Sequence, residues 1–177
     1  MPEEIVTARL VLRRQRVEDA AVYRELWTER DPRVPSHRRI RPDGRPTVDD
    51  IAAQIDAEMH SAEVGLLTIT RSFEGDVIGC CGLLFGGRST PGEPELVYEL
   101  LRRAQGVGFA TEAAHALVAW AADAGFERLW AGVRSWNVAS RNVLRKLGFV
   151  ETGQVVRDAA LGDSLITCKS LTTSAPR

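Results

Sequence analysis

The sequence lacks any apolar run approaching the ~20 residues of a membrane span. It also lacks a basic excess: 23 Lys and Arg stand against 24 Asp and Glu, a net charge of −1. Nothing therefore marks a nucleic-acid-binding stripe. Only three cysteines occur, Cys80, Cys81 and Cys168. They show neither zinc spacing nor disulfide density, and are expected as small apolar strand residues in a reducing compartment. His37, His60 and His115 show no ligand spacing, so no metal is expected. Met1-Pro2-Glu3-Glu4 lacks the charged-then-apolar design of an export signal, and the expected setting is the cytoplasm. Repeats, low-complexity stretches and domain boundaries are lacking too. Residues 1–177 are expected to form a single domain, of a size that buries roughly two-thirds of its unfolded surface, with 171–177 a frayed tail.

What is present is a succession of short periodic segments. Residues 5–14 alternate Leu10 and Leu12 with Arg9, Val11 and Arg13, which predicts one strand. From Val17 to Glu29 the apolar positions Ala21, Val22, Leu26 and Trp27 share a helical face, stopped by Asp31-Pro32. Residues 31–46 hold four prolines and five arginines and predict the longest loop. Thr47 is placed to cap a second helix, with Asp49 and Asp50 in its positive first turn and Ile51, Ile55 and Met59 on its buried side. Strands at 64–71 and 77–85 form an antiparallel hairpin by their short glycine-bearing link, and another strand follows at 95–101. A helix over about 109–124 presents Ala113, Leu117, Trp120, Ala121 and Ala124, with Gly125 as its stop. A strand at 128–133, a helix over about 138–147 ending at Gly148, and strands near 149–156 and 164–171 complete the chain. A strand–helix–strand unit thus sits among hairpins. The fold class expected is mixed α/β (α+β), a mostly antiparallel sheet of six to seven strands flanked by about four helices.

The stretch "AQGVGFATEA" (104–113) carries the first chemical signal. Strand, glycine turn and helix together aim unpaired backbone N–H groups at one point, and the helix N-terminus adds partial positive charge. An anion is the natural guest, and a pyrophosphate fits best; a plain tight turn is the alternative, although one glycine would serve that. A Walker loop needs Lys-Ser or Lys-Thr after its last glycine, whereas Phe109-Ala110 follows Gly108. A dinucleotide loop needs a third glycine where Thr111 stands.

Gln105-Gly106-Val107-Gly108-Phe109-Ala110 resembles the Q/R-x-x-G-x-G/A loop of the GCN5-related N-acetyltransferases (GNAT family). "TARLVLRR" followed by a helix bearing Trp27, "ELVYEL" and "NVASRNVLRKLGF" (137–149) resemble, in order, segments of the RimJ/RimL-like branch that modifies ribosomal-protein N-termini. The likeness covers nearly the whole chain. It implies a GNAT-like sheet, acetyl-CoA as co-substrate with its pyrophosphate on residues 105–111, and direct attack of an amine on the thioester. It also implies a splayed strand at Leu100, whose backbone meets the oxyanion and the pantetheine arm, and a hold on that arm by Asn137. Asn137 is equally suited to cap its helix.

Acetyl transfer requires a neutral amine. Neutralising a lysine-like amine at pH 7 costs roughly 4–5 kcal/mol, an α-amino group only about 1 kcal/mol. A proton acceptor, an oxyanion site and a thiolate donor are therefore needed. Glu95, at the glutamate of the branch's E-x-x-Y strand, is the expected base, through water; an exposed strand end is the other reading. Glu99 is expected as a solvated strand position. Tyr98 and Trp27 are candidates to line the acceptor site. Where many relatives place a tyrosine donor this chain has Leu144, so Ser140 is the candidate donor, with solvent as substitute. Arg102 and Arg103 flank the loop and are candidates for phosphates, as are Arg141, Arg145 and Lys146 for the nucleotide end. The arginine-rich loop 31–46 hints at an acceptor with acidic groups or is a solvated lid. The expected activity is N-acetyl transfer to a primary amine, on a protein N-terminus or small molecule, by a monomer or homodimer with no membrane or nucleic-acid partner. Two other classes stand beside it: a catalytically weak acyl-CoA-binding module, and a nucleotide-dependent oxidoreductase.

Overall fold

The computed structural model describes residues 1–59, 65–86 and 92–172. Its elements are β1 (Glu4–Val6), β2 (Leu10–Arg14), α1 (Ala20–Glu29), α2 (Val48–Met59), β3 (Leu66–Arg71), β4 (Val77–Leu84), β5 (Glu95–Leu100), α3 (Phe109–Asp123), β6 (Arg128–Arg134), α4 (Val138–Lys146), β7 (Val150–Val156) and β8 (Ser164–Ser170). The strands form one eight-stranded sheet in the order β1-β2-β3-β4-β5-β6-β8-β7. Every pairing is antiparallel except β5 with β6.

The eighth strand corrects the expectation for residues 5–14, which are two strands rather than one. Thr7 folds the chain back: its N–H donates to the Leu10 carbonyl at 2.8 Å and its hydroxyl accepts the Leu10 N–H at 3.0 Å. Glu4–Val6 then pairs with Val11–Arg13. A side-chain hydroxyl competing for backbone partners is what interrupts the alternation.

Two apolar layers cover the sheet. Adjacent strand residues point to opposite faces, and Cys80 and Cys81 show it: Cys81 joins the larger core with Leu117 and Ala121 of α3, Cys80 the smaller one with Ala20, Tyr23 and Leu26 of α1 and Ile51 and Ile55 of α2. Both cysteines are buried, free and apolar in surroundings, as expected, and burial pushes the Cys80 thiol up to about 12. The buried face of α1 is rotated from the expected one: Ala20, Tyr23 and Leu26 are buried, and Ala21 is exposed. On α3, Ala114 and Val118 replace the expected Ala124, which is exposed. The side chain of Met59 and residues 60, 64 and 173–177 lie outside the described residues. Leu171, expected in the tail, instead packs against the larger core and donates its N–H to Glu127.

A buried ion pair fixes where α1 begins. Asp19, 4% exposed, takes both terminal nitrogens of the Arg13 guanidinium at 2.8 Å, the Thr68 hydroxyl at 2.8 Å and the Arg16 N–H at 2.9 Å. The residues at the far end of α1 therefore start from a fixed origin. Thr47 caps α2 as expected, and Asp50 makes the cap reciprocal, the Thr47 N–H donating to Asp50 at 2.8 Å and the Asp50 N–H to Thr47 at 3.1 Å.

Candidate functional site

The parallel pair creates an opening. β5 and β6 meet in register only at Glu95 and Trp130, while β6 continues paired with β8 along its whole length. The Trp130 N–H donates to the Pro94 carbonyl at 3.0 Å. Backbone groups alternate sides along a strand, so the peptide edges of Leu96, Tyr98 and Leu100 face β6. Beyond Leu96 they look into the gap. On its other side β5 lies tight against β4: a Cβ on Gly79 would sit 2.1 Å from the Glu99 carbonyl oxygen. A glycine there lets β5 lean away from β6. The resulting cavity measures about 610 Å³ and runs from α1 and the 31–38 segment, past Leu96–Leu100, to residues 104–111 and the first turns of α4.

Residues 105–111 close one end. Gly106 (φ 81°) and Gly108 (φ 92°) are both left-handed, a region that costs other L-residues roughly 1–2 kcal/mol; this is why the loop spends two glycines. Gly108 precedes α3 without a side-chain cap, and the first intrahelical bond is Glu112 N–H to the Gly108 carbonyl. The N–H groups of Phe109, Ala110 and Thr111 are thus the unpaired amides of a helix start, and these three residues line the cavity with Gln105, Gly106 and Gly108. Gln105 donates its side-chain amide to the Leu100 carbonyl at 2.8 Å, tying the loop to the opened strand. Val107 is exposed but holds the loop: its carbonyl accepts Arg9 Nη1 at 3.1 Å.

Arg9 and Glu112 were not expected at the site. Glu112 accepts the Thr7 hydroxyl at 2.7 Å, the Arg9 N–H at 2.9 Å and Arg9 Nε at 2.7 Å, while the Arg9 guanidinium lies 4.6 Å above the Phe109 ring. Burial raises the pKa of Glu112, but these donors outweigh it and hold the carboxyl below its usual range. The β1–β2 turn is in effect a latch on the glycine loop.

Midway along the cavity, strand and helix bring two hydroxyls together. Tyr98 OH lies 2.8 Å from Ser140 Oγ and donates to the Ser140 carbonyl at 3.1 Å. Burial pushes the phenol up to about 12, against the opposing bond to Ser140, so it stays protonated at neutral pH. Asn137 caps α4, its Oδ1 accepting the Ser140 N–H at 3.1 Å, and it also lines the cavity. Leu144 is buried in the core.

At the far end several expectations change. Glu99 is not a solvated strand position. It lines the cavity, and Arg30 grips both of its oxygens at 2.7 and 2.6 Å. Arg30 is in turn stacked 4.2 Å over Trp27 and donates to the Arg38 carbonyl at 2.9 Å. Trp27 therefore bears on the cleft through Arg30 and is not among the cavity-lining residues. Glu95 does not line the cavity either; it lies on the face of β5 shared with Glu99, ~13 Å along the strand at ~3.3 Å per residue. Its charge, like that of Glu99, still acts on the Arg38 guanidinium. Arg102 and Arg103 turn from the loop to α1: Arg102 donates to the Glu29 carbonyl at 2.8 Å and Arg103 to Glu25 at 2.7 Å. Arg141 pairs with Glu151 at 2.9 Å. Lys146 does line the cavity, at the end where α4 approaches the glycine loop. His115 is exposed, beside an open groove with Thr111 and Lys146. The alternation 95-97-99 was the available signal for Glu99; Arg9 and Arg30 had none in local pattern.

Among the described residues no cluster of His, Cys, Asp or Glu is arranged to hold a metal, and no helix is long and apolar enough to cross a membrane. A family model described as Acetyltransferase (GNAT) domain matches residues 9–150. An uncharacterized N-acetyltransferase, p20, of Bacillus licheniformis is 32% identical over 163 residues, covering 88% of this chain and 86% of that protein. A GNAT-family acetyltransferase of Bacillus anthracis has a similar structure, with a TM-score of 0.77, 18% identity, and 95% and 98% of the two chains covered. RimL, a ribosomal L7/L12 alpha-N-protein acetyltransferase solved in complex with coenzyme A, aligns with a TM-score of 0.75 and 16% identity over 94% of this chain and 96% of its own. These two likenesses speak to the fold.

Proposed function

The chain belongs to the GNAT acetyltransferase family, and from that premise we propose how its residues carry out acetyl-CoA-dependent N-acetylation of a primary amine. The observation that carries the reading is the gap between β5 and β6, with the glycine loop at one end and an ion-paired cleft at the other.

The unpaired amides around Gly106–Thr111 suit a diphosphate, which accepts several N–H bonds at once where the helix start is positive. Leu100 and Tyr98 offer their gap-facing N–H groups to the carbonyl oxygen as negative charge grows there. Asn137 holds the start of α4 and borders the pantetheine channel. Glu99 has both oxygens committed to Arg30, so it shapes the cleft and holds Arg30. Glu95, on the same strand face, remains the base, taking the amine proton through water. Ser140 gives its proton to the departing thiolate while taking one from Tyr98, 2.8 Å away, and solvent returns a proton to the phenol. This hydroxyl pair fills the part left by Leu144, and the weak-module alternative loses its motive. The amine is an α-amino group on a protein N-terminus or a small molecule, the acceptor that costs least to deprotonate. The T-x-R, E-x-x-Y and N-x-x-S segments support a RimJ/RimL-like branch. We take the enzyme to be a cytoplasmic single domain, active as a monomer or homodimer.

The test is thiol release from acetyl-CoA across α-amino peptides, amino acids and polyamines. Glu95→Gln is expected to lower kcat/KM about 100-fold, within the span of general-base losses, with acetyl-CoA affinity kept. Glu99→Gln is expected to act on the amine's KM instead. If Glu95→Gln keeps the parent kcat/KM, Glu95 is not the base.

A further inference from the structure

We propose that the acceptor carries a carboxylate near its amine and that Arg38 selects it by that group; this rests on the acetyl-transfer reading above. The observation is a difference in pairing among the guanidinium groups of the cleft. Arg30 is held by Glu99. Arg102 is held by Glu29, which accepts its backbone N–H at 2.7 Å and its side chain through the carbonyl at 2.8 Å. Arg134 pairs with Asp158 at 3.2 Å. Arg38 lines the same cavity, and among the described residues its guanidinium has no hydrogen-bonded acceptor and no ion pair.

The chain fixes Arg38 without neutralising it. Its carbonyl accepts from Arg30 and its N–H donates to the Pro35 carbonyl at 2.9 Å, so the backbone is held on the cleft wall. The surrounding groups are Arg30, Glu99 and Glu95. Glu99 already has both oxygens on Arg30. Glu95 acts on Arg38 through its charge without a hydrogen bond. The residue is exposed on the cleft wall, and the charge of Arg30 repels its guanidinium. A carboxylate from outside offsets that repulsion, and a guanidinium receives it in a planar, two-point geometry. A polycationic amine meets Arg38 and Arg30 as like charges and is rejected.

Two sources supply this chemistry: the carboxylate of a free amino acid, or an acidic side chain next to a peptide's N-terminus. Calorimetry on the CoA-loaded protein separates them, using N-acetylalanine against its amide, and N-acetyl-Ala-Asp-amide against N-acetyl-Ala-Asn-amide. In one pair the carboxylate member is expected to bind at least tenfold more tightly; which pair splits identifies the source. Arg38→Gln is expected to erase the split and Arg38→Lys to retain part of it, with CoA affinity in the same cell reporting that each variant is folded. Equal binding within both pairs, or a split that survives Arg38→Gln, overturns the proposal. Failure of CoA to bind overturns the acetyl-transfer reading and takes this proposal with it. Equal binding by CoA-loaded protein overturns this proposal and leaves the acetyl-transfer reading standing.

Discussion

The two ends of the cavity are built from different materials. At the glycine end the groups that face a ligand are backbone amides, set by two left-handed glycines and the start of α3. Arg9 and Glu112 brace the loop from behind, latching it to the β1–β2 turn, and Lys146 of α4 borders the same end. At the other end the facing groups are long side chains from α1 and the loop after it, Arg30, Asp31 and Arg38, played against Glu99 on β5. A main-chain cradle suits a partner that never changes, since few substitutions alter an amide. A side-chain wall suits a partner that differs from enzyme to enzyme, because one residue change moves a charge.

The largest effect that distinguishes the ends is expected at Gly108. A valine there must hold φ near 92°, and its Cβ would lie 3.4 Å from the Arg9 guanidinium that braces the loop. Strain of about 1–2 kcal/mol, and any relaxation that turns the amides away, both fall on cofactor binding. Gly108→Val is expected to weaken acetyl-CoA at least tenfold by calorimetry, while the binding of acceptor-site probes is unchanged. Equal loss at both ends would show the cradle and the wall to be one coupled unit.

The latch comes next. Glu112→Gln keeps an oxygen for Thr7 but presents an N–H₂ to Arg9, losing a charged hydrogen bond of about 1.5–3 kcal/mol; with Arg9 half exposed, the lower figure is the better guide. Acetyl-CoA affinity is expected to fall about threefold, less than for Gly108→Val. The pH dependence fixes the cause. The Glu112 carboxyl titrates below its usual value in the folded protein, so its contribution is complete above the ordinary carboxylate pKa and is lost as pH falls through the depressed one. Denaturant melts of the two proteins are therefore expected to differ at pH 7 and to converge toward pH 3. A difference that stays constant with pH would mean that the charge is not what latches the loop.

The same division explains what could be read from the chain. The glycine end is local: loop, helix start and caps lie within a few residues of one another, and periodicity and glycine placement specify them. The element order followed for the same reason, apart from the turn at Thr7–Arg9, where a side-chain hydroxyl broke a strand whose alternation carried on through it. The ion-paired end depends on contacts such as Arg30 with Glu99, 69 residues apart, and the latch on Arg9 with Glu112, 103 apart. Such pairs leave no periodic trace. Arg102 was a candidate for phosphate by its proximity in sequence to the loop; the 3-10 turn after β5 brings its guanidinium to the Glu29 carbonyl.

The smallest effect belongs to Arg33, and it probes the wall at its weakest fixing. Arg33 pairs with Asp31 at 2.8 Å and stacks 3.9 Å over Trp136, which itself donates to the Leu161 carbonyl at 2.9 Å. The pair is exposed, so it contributes little, and a solvated guanidinium on an aromatic ring adds little more. Arg33→Ala is therefore expected to leave the melting midpoint within about 2 °C, a small ΔΔG spread over a domain of this size. What it removes is the strut between the loop after α1 and the segment before α4. If the wall works by placing Arg38, loosening that strut raises the amine's KM about two- to threefold and leaves acetyl-CoA affinity untouched. Should KM for both substrates rise together, Trp136 would be supporting the cofactor channel through Asn137, and the line between the two ends would lie further toward the loop than the ion pairs suggest.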